Sequence, residues 1–247
     1  MKNVQFEKRV RKRKKIPIFM VLVFIITVMA IITLKTDIFT VKIVEVRGHK
    51  ILTEDIILDT SRVTSGNNIF KERIHFIEES LMEHPYIKKA VVKRSLPNKI
   101  IINIEERKKY AAIPFMENFI IIDNEGCVLE TLPTFEDLLL VKGVHFANFS
   151  EGDVLNVKNG QQMDTLVDII TEVENLGLSV KEIDLTNTDD IRINITNLLT
   201  CKIGNADRLN YRFMVLNSIL EDLRMKDINR GVIDISHEGY PSYRPVE

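Results

Sequence analysis

The sequence predicts an α+β protein in which a single transmembrane helix precedes two folded units. Three observations support this class. Residues Ile16–Leu34 contain no charged side chain. Residues 38–107 alternate between strand and helix patterns in the order β-α-α-β-β, and residues 108–235 mix strand patterns with two longer amphipathic helices. Each unit is therefore expected to form a sheet covered by helices.

The uncharged stretch Ile16–Leu34 has the length of a bilayer-spanning helix. At about 1.5 Å per residue it extends roughly 28 Å, close to the hydrocarbon thickness of a membrane. The arm Met1–Lys15 before it carries eight Lys or Arg and one Glu. The positive-inside rule therefore places this arm in the cytoplasm and everything after Leu34 outside. We expect a single-pass protein of the cell membrane with extracytoplasmic units.

The N-terminal region has two other interpretations, a cleaved signal peptide and a nucleic-acid-binding arm. A cleaved signal peptide would have a shorter apolar run and a small-x-small cleavage site, which the sequence ITLKTD after Ile31 does not offer. The basic arm could bind nucleic acid, but such an arm beside a membrane helix usually orients the helix and contacts lipid. The remaining chain has an excess of eight acidic residues, which argues against nucleic acid as its ligand. We expect no nucleic-acid partner.

The first unit, residues 38–107, is predicted to place two helices on one face of a three-stranded sheet. Ile100, Ile102 and Ile104 alternate along one face of its last strand, as in a half-buried strand. Thr53 is a candidate N-cap. The predicted elements are the strands Phe39–Val46, Ile87–Arg94 and Lys99–Glu105 and the helices Glu54–Thr60 and Glu72–Met82.

This unit resembles a POTRA domain. The resemblance is carried by Val46-x-Gly48 after the first strand and by the spacing of small, apolar, Arg and Pro residues from Pro85 to Arg107. The spaced residues are Pro85, Ile87, Ala90, Val92, Arg94, Pro97, Ile100, Ile102, Ile104, Glu106 and Arg107. Its position after a basic arm and one helix is similar to the FtsQ/DivIB family of bacterial cell-division proteins.

The second unit, residues 108–235, is predicted to be a largely antiparallel sheet with two helices, followed by an extended tail at 236–247. Its helices are predicted at Gln161–Leu176 and Ala206–Met225, because apolar residues recur there with the helical period. The predicted strands are Asn118–Ile122, Cys127–Glu130, Leu138–Val141, Val180–Leu185, Ile191–Ile195, Leu198–Ile203 and Gly231–Ile235. The order resembles the β-domain of FtsQ/DivIB proteins, and the ending around Tyr243 resembles the terminus of that family.

The sequence offers no catalytic, cofactor-binding or metal-binding constellation. Its histidines are scattered, without the close spacing that metal ligands need. Phosphate-loop, dinucleotide and G-x-S-x-G motifs are absent. The adjacent acids Glu105-Glu106 and Asp189-Asp190 could serve a wall hydrolase, but neighbours on a strand point to opposite faces. Cys127 and Cys201 could pair, and two unpaired buried thiols are the simpler expectation.

What remains as a functional feature is a sheet edge. Gly231–Ile235 contains no Lys or Pro, so an exposed edge there could pair with a partner strand, and Ile233 and Ile235 could offer an apolar side. The FtsQ/DivIB resemblance implies partners of the FtsB/DivIC and FtsL types and the septal wall-synthesis machinery, at the division septum. The candidate partner-binding residues are Gly231, Val232, Ile233, Asp234, Ile235, Tyr240 and Tyr243. The alternative is an anchored sensor with a ligand pocket in the second unit.

Overall fold

The structure, a computed structural model, describes residues 15–146, 148–157, 160–237 and 239–246. The predicted basic arm, Met1–Lys15, thus lies outside the described residues except for Lys15. Packing divides the chain into two compact units. Unit 1 runs to Met82 and includes Lys89–Glu105, whereas unit 2 consists of Glu83–Lys88 and the chain from Glu106 onward.

The first helix, α1, spans Lys15–Lys35 and includes the whole uncharged stretch. The hydroxyl of Thr27 donates to the Val23 carbonyl at 2.8 Å, so this polar side chain is satisfied within the helix. Among the described residues, no helix has both the length and the hydropathy that a membrane crossing requires.

Unit 1 contains the β-α-α-β-β order that the sequence predicts. After a 3-10 turn at Asp37–Phe39, its elements are β1 (Ile43–Arg47), α2 (Glu54–Ser61), α3 (Ile74–Met82), β2 (Ile87–Ser95) and β3 (Lys99–Glu106). The sheet order is β1-β3-β2, and β1 runs parallel to β3 with Val44 opposite Ile100. A parallel pair needs a long connection, and α2 and α3 are part of it.

The core of unit 1 forms where the sequence places it. Ile100, Ile102 and Ile104 are all buried on the central strand, and Ile77 and Leu81 of α3 are buried as well. These alternating and helical positions are the ones that the periodicity selects. The predicted burial of Ile100, Ile102 and Ile104 on one face of β3 is therefore confirmed.

Of two local predictions in unit 1, the start of the first strand needs correction and the N-cap is confirmed in position. The first strand begins at Ile43, not at Phe39, because its parallel partner β3 begins opposite Ile43 at Lys99 and Phe39 belongs to the 3-10 turn. Thr53 has the extended backbone of an N-cap, but its hydroxyl makes no capping hydrogen bond. The N-cap position of Thr53 and the start of α2 at Glu54 are therefore confirmed.

Unit 2 is built on a sheet of nine strands within the described residues. The strands are β4 (Ala111–Phe115), β5 (Asn118–Ile122), β6 (Val128–Leu132), β7 (Leu139–Lys142), β8 (Glu182–Asp184), β9 (Ile191–Asn194), β10 (Leu199–Gly204), β11 (Gly231–Asp234) and β12 (Ser242–Arg244). Its helices are α4 (Gly160–Asn175) and α5 (Leu209–Met225). The spatial order is β12-β11-β10-β9-β8-β7-β4-β5-β6.

The sheet is mixed, with five antiparallel and three parallel pairs among the described strands, so the expectation of a largely antiparallel sheet is met only in part. The pairs β4–β7, β7–β8 and β10–β11 are parallel, and the other pairs are antiparallel. Helix α4 connects β7 to β8, and α5 connects β10 to β11. A strand, a helix and a neighbouring strand form a crossover, and crossovers join parallel strands. Between the two crossovers, β8, β9 and β10 follow one another as an antiparallel meander, at the three strands predicted for Val180–Leu185, Ile191–Ile195 and Leu198–Ile203.

The core of unit 2 lies between this sheet and the two helices. Leu166 and Ile170 of α4 and Phe213 and Leu216 of α5 are fully buried against the strand residues. Burial of such side chains stabilises a fold by roughly 1.5–3 kcal/mol each. The apolar stripes predicted for both helices therefore face the core.

Strand β4 was not predicted because Pro114 interrupts its pattern. The strand nevertheless lies inside the sheet, between β7 and β5. Its pairing with β7 covers only Ala111 and Ala112, so Pro114 lies beyond the region where β7 is its neighbour. The missing N–H of Pro114 therefore leaves the hydrogen bonds between β4 and β7 intact.

Candidate functional site

The C-terminal end of the chain forms the last strand of the unit 2 sheet. The sequence predicts an extended tail at 236–247, but Ser242–Arg244 form β12 and pair antiparallel with β11. As a result β11 has β10 on one side and β12 on the other. The predicted open edge at Gly231–Ile235 is therefore wrong, since β12 covers it and is itself the edge strand.

The proposed apolar side of β11 faces the core. Ile233 is completely buried and Ile235 is 6% exposed. Val232 and Asp234 lie on the other face and are half-buried. Ile233 and Ile235 thus hold the sheet to its helices and do not form a surface, because alternate residues of a strand point to opposite faces.

Gly231 and Tyr243 fit together where β11 and β12 meet. Gly231 has φ +134°, and a Cβ atom on it would lie 2.6 Å from Cε2 and 2.8 Å from Oη of Tyr243. The Tyr243 hydroxyl donates to the Arg230 carbonyl at 2.6 Å. The ring therefore occupies the space that a side chain at position 231 would need. This contact fixes β12 against β11.

Asp234 organises the turn that follows β11. Its Oδ1 accepts hydrogen bonds from the Ser236 amide at 3.1 Å and from the Ser236 hydroxyl at 2.7 Å. The hydroxyl bond is the main reason that the pKa of Asp234 lies below its ordinary value. Oδ2 of Asp234 is 3.8 Å from the Arg244 guanidinium on β12. One carboxylate therefore links the turn to the edge strand.

The backbone directions show what the outer edge of β12 presents. The amide of Gly231 donates to the Leu198 carbonyl, directly before β10, and that of Ile235 donates to Lys202 of β10. The alternate residues Val232 and Asp234 therefore direct their N–H and C=O groups toward β12. They lie opposite Arg244 and Ser242. Tyr243 lies between these two and directs its own N–H and C=O outward.

Proline limits this outer edge on both sides of Tyr243. Every second residue of a strand directs its backbone groups to the same edge, so Pro241 and Pro245 occupy the outward positions on either side of Tyr243. Neither proline has an N–H. The outward face of β12 therefore has one amide donor, at Tyr243, between two positions that cannot donate. Prolines at an edge strand restrict pairing with other chains.

A groove of about 920 Å³ lies beside the connection from β11 to β12. Its lining includes the start of α5, with Tyr211 and Val215, and the loop with His237 and Pro241. The guanidinium of Arg212 bonds to the carbonyl of Ile203 and to the side-chain oxygen of Asn205 at 2.8 Å. The described residues that line it are Asn205, Asp207, Arg208, Tyr211, Arg212, Val215, Ile235, Ser236, His237, Gly239 and Pro241. Arg212 therefore fixes one wall of the groove.

Tyr240 is the most solvent-accessible of the predicted partner-binding residues. It is 95% exposed and comes directly before the prolines and the edge strand. Tyr211 on α5 is 65% exposed. Large side chains with an apolar ring and a polar end are common at protein interfaces, so these two tyrosines are candidate contacts.

The groups that could support other chemistry do not converge. Among the described residues, no cluster of three His, Cys, Asp or Glu could hold a metal ion. Cys127 and Cys201 are both buried and unpaired, as the simpler expectation had it. Burial raises the pKa of the Cys201 thiol to about 12. Asp190 forms an ion pair with Arg192 in a turn.

The sequence reasoning missed β12, the groove and the contact between Gly231 and Tyr243. The signal for β12 was present, because a short segment with Pro at both ends is typical of an edge strand. The groove had no sequence signal, since its residues come from α5 and a loop distant in the chain. The contact at Gly231 depends on which strand pairs with β11, and pattern alone does not determine that pairing.

Two family models match the two parts of the chain. The model described as "POTRA domain, FtsQ-type" matches residues 39–107, and "Cell division protein FtsQ/DivIB, C-terminal" matches residues 113–236. The chain is also similar to curated proteins with the name Cell division protein DivIB. The protein from Clostridium botulinum strain Loch Maree is 30% identical, with 97% of this chain and 95% of that protein covered.

Two further relatives show the same likeness at different coverage. The DivIB protein of Clostridium tetani is 28% identical over 89% of this chain and 84% of its own length. That of Bacillus subtilis is 30% identical over 76% of this chain and 69% of its own length. The similarity extends across both units.

Proposed function

The chain belongs to the FtsQ/DivIB family of cell-division proteins, and from this premise we propose that it is a membrane-anchored scaffold of the bacterial division machinery. In this role it performs no catalysis. It binds other single-pass division proteins at the septum and thereby helps to control septal wall synthesis. The observation that carries the proposal is the edge strand β12, whose outward backbone groups at Tyr243 can pair with a partner strand.

The anchor in this proposal is the segment Ile16–Leu34 within α1. Its support is the absence of charge over this segment and the basic arm before it. Apolar side chains on α1 are exposed, with Ile18 and Phe24 each 69% accessible, as they would be for contact with lipid. The arm is cytoplasmic in this arrangement. Residues 38–107 form a POTRA domain and residues 108–235 a β-domain outside the membrane, and β12 within 236–247 extends the sheet of the β-domain.

The partner segment adds to the outer edge of β12. Strand addition uses main-chain hydrogen bonds for affinity and side-chain pockets for specificity. Tyr243 supplies the donor and an acceptor, and the prolines on both sides restrict the register of the added strand. Partners of the FtsB/DivIC and FtsL types fit this requirement, as the family implies.

Two substitutions at one position test the edge directly. Tyr243→Ala removes the ring and its bond to Arg230 but keeps the outward N–H. Tyr243→Pro removes the same ring and also the N–H. Because that N–H points away from β11, both variants should lose similar stability, and only the proline variant should lose the remaining partner binding.

The measurement is capture of DivIC-type and FtsL-type partners by the full chain from detergent-solubilised membranes, together with unfolding in urea. Arg244→Pro is the control, because the N–H of Arg244 points toward β11 and its loss should destabilise the strand itself. Equal partner capture by the alanine and proline variants at position 243 would contradict strand addition at β12.

The groove is also the observation that favours the alternative function, an anchored sensor of a small ligand. Its volume of about 920 Å³ is in the range of ligand sites. Val215→Trp would fill the groove while leaving β12 intact. If this variant supports division in cells but Tyr243→Pro does not, the scaffold is favoured. The opposite pattern favours the sensor.

A further inference from the structure

Three exposed apolar side chains surround the segment that leads from α1 into unit 1. Ile38 is 57% exposed, Phe70 is 42% exposed and Leu96 is 58% exposed. We call these residues the tip cluster. They come from three separate parts of the chain. Apolar side chains that gather at one place on a surface indicate an interaction site more strongly than single exposed ones do.

Backbone hydrogen bonds tie the loops that carry Phe70 and Leu96 to the segment that follows Ile38. The amide of Ile69 donates to the Phe39 carbonyl at 2.7 Å, which places Phe70 beside the entering segment. On the other side, the amide of Lys42 donates to the Asn98 carbonyl at 2.9 Å, which brings the turn containing Leu96 to the same segment. The entering segment therefore lies between two loops, and each loop carries an exposed apolar tip.

The loop that carries Phe70 is held rigidly. Arg94 donates from Nε to the Ile69 carbonyl at 2.8 Å and from Nη2 to the Glu72 carbonyl at 2.6 Å. The rings of Phe39 and Phe70 pack with their centroids 5.4 Å apart. A loop fixed in this way presents Phe70 to solvent without the entropy cost of ordering it on binding.

The chain length after the anchor places this cluster near the lipid headgroups. This step rests on the anchor proposed above. Ile38 follows Leu34 by four residues, which extend at most about 14 Å, and the 3-10 turn at Asp37–Phe39 shortens the path. The headgroup layer adds roughly 5–8 Å on each side of the hydrocarbon core. Ile38 is therefore within reach of that layer, and Phe70 and Leu96 are tied to the same segment.

Basic side chains accompany the cluster. Lys42, Lys71 and Arg73 are exposed in the same segments, against the acidic Asp37 and Glu72. Apolar tips with basic neighbours are the composition of protein surfaces that lie in the membrane interface. We propose that the tip cluster docks unit 1 onto the outer surface of the membrane, with the apolar tips among the headgroups and the basic side chains near lipid phosphates.

The absence of tryptophan from the chain allows a direct test. Phe70→Trp introduces a single fluorophore into the full chain, which is reconstituted into phosphatidylglycerol and phosphatidylcholine vesicles with lipids brominated near the headgroup. Docking predicts a blue-shifted emission that the brominated lipids quench. Phe76→Trp is the matched control, because Phe76 is in the same unit and 43% exposed, but it lies on α3 and is not part of the tip cluster. Its emission should stay unshifted and respond to a water-soluble quencher.

Two further probes separate the possible failures. Phe24→Trp lies on α1 and should be quenched by lipids brominated near the end of the acyl chain. If the probe at 24 is quenched and the probe at 70 is not, the anchor holds and the docking proposal is overturned. If neither is quenched, the proposed anchor fails as well. Leu96→Trp repeats the docking test at a second tip, so that one poorly folded variant does not decide the result.

A protein that covered the tip cluster in place of lipid would give a different quenching result. If a second copy or another protein covers the tips, the probe at 70 will be protected from the water-soluble quencher but will not respond to brominated lipid. That outcome overturns membrane docking. Replacing Ile38 and Leu96 together with Ser in the Phe70→Trp chain should reduce the lipid quenching, and unchanged quenching would also count against the cluster.

Discussion

Gly231→Ala is expected to detach the edge strand from the unit 2 sheet. A Cβ atom at this position would lie 2.6 Å from Cε2 of Tyr243 and 2.7 Å from the Arg244 carbonyl oxygen. Those distances are too short for any Cβ contact, so β12 must move. The backbone itself, at φ +134°, is also unfavourable for alanine.

The magnitude follows from two separate losses. Holding a residue with a side chain in a sparsely populated backbone region costs about 1–3 kcal/mol. Displacing Tyr243 breaks its 2.6 Å hydrogen bond to Arg230, which is worth roughly 1 kcal/mol. The free energy of unfolding should therefore fall by roughly 2–4 kcal/mol.

The assay is unfolding of the full chain in urea, combined with hydrogen exchange to locate the change. Amides of β11 and β12 should exchange faster in the variant, while those of unit 1 should not change. Gly160→Ala is the control, because a Cβ at this helical position meets no atom within 4 Å. It should leave stability unchanged or raise it by up to about 1 kcal/mol. An alanine at 231 that costs less than about 0.5 kcal/mol, the usual range of surface substitutions, would refute the contact described here.

Three other predictions concern charges and thiols. Arg107 forms an ion pair at 2.6 Å with the buried carboxylate of Asp123. Arg107→Leu should therefore lower the free energy of unfolding by about 3–5 kcal/mol, because it leaves that carboxylate buried without its partner. A loss below about 1 kcal/mol, measured by unfolding in urea, would contradict this prediction. The pKa of Asp234 is lowered, chiefly by the Ser236 hydroxyl, so this group contributes stability above its unfolded pKa of about 4 and loses it as pH falls through the folded value. In the Asp234→Asn variant, the free energy of unfolding should therefore fall less steeply as the pH decreases. An unchanged slope of this free energy against pH would contradict the prediction. The Cys201 thiol, with a pKa raised to about 12, should resist alkylation in the folded chain and react in urea; rapid reaction of the native protein would contradict its burial.

Local periodicity predicted most elements because it records which face of each element is buried. The alternation of Ile100, Ile102 and Ile104 placed β3, and the spacing of Phe213 and Leu216 placed α5. Both patterns arise from contact with a single core, so they can be seen without knowledge of the neighbours. The errors at helix and strand ends were a few residues, as at Ile43.

Strand order could not be predicted in the same way. Pairing depends on contacts between segments distant in sequence, and apolar alternation is the same for a parallel and an antiparallel neighbour. Gly231–Ile235 was therefore recognised as a strand but assigned to the edge, and the three residues that cover it were interpreted as a tail. The groove was missed for a related reason, since the loop with His237 is far in sequence from Tyr211.

The mixed order of the unit 2 sheet has a consequence for how the chain folds. Strands β4, β5 and β6 are joined by short turns, and so are β8, β9 and β10, so these two blocks can form early from local contacts. The parallel pairs β7–β8 and β10–β11 form only after α4 and α5 have brought the chain back to the sheet. Closing these longer loops costs more conformational entropy. Strand β12 can add only to a β11 that is already in place, so the edge at Tyr243 is expected to appear late in folding. In pulse-labelling exchange during refolding, amides of β5 and β9 should gain protection before those of β11.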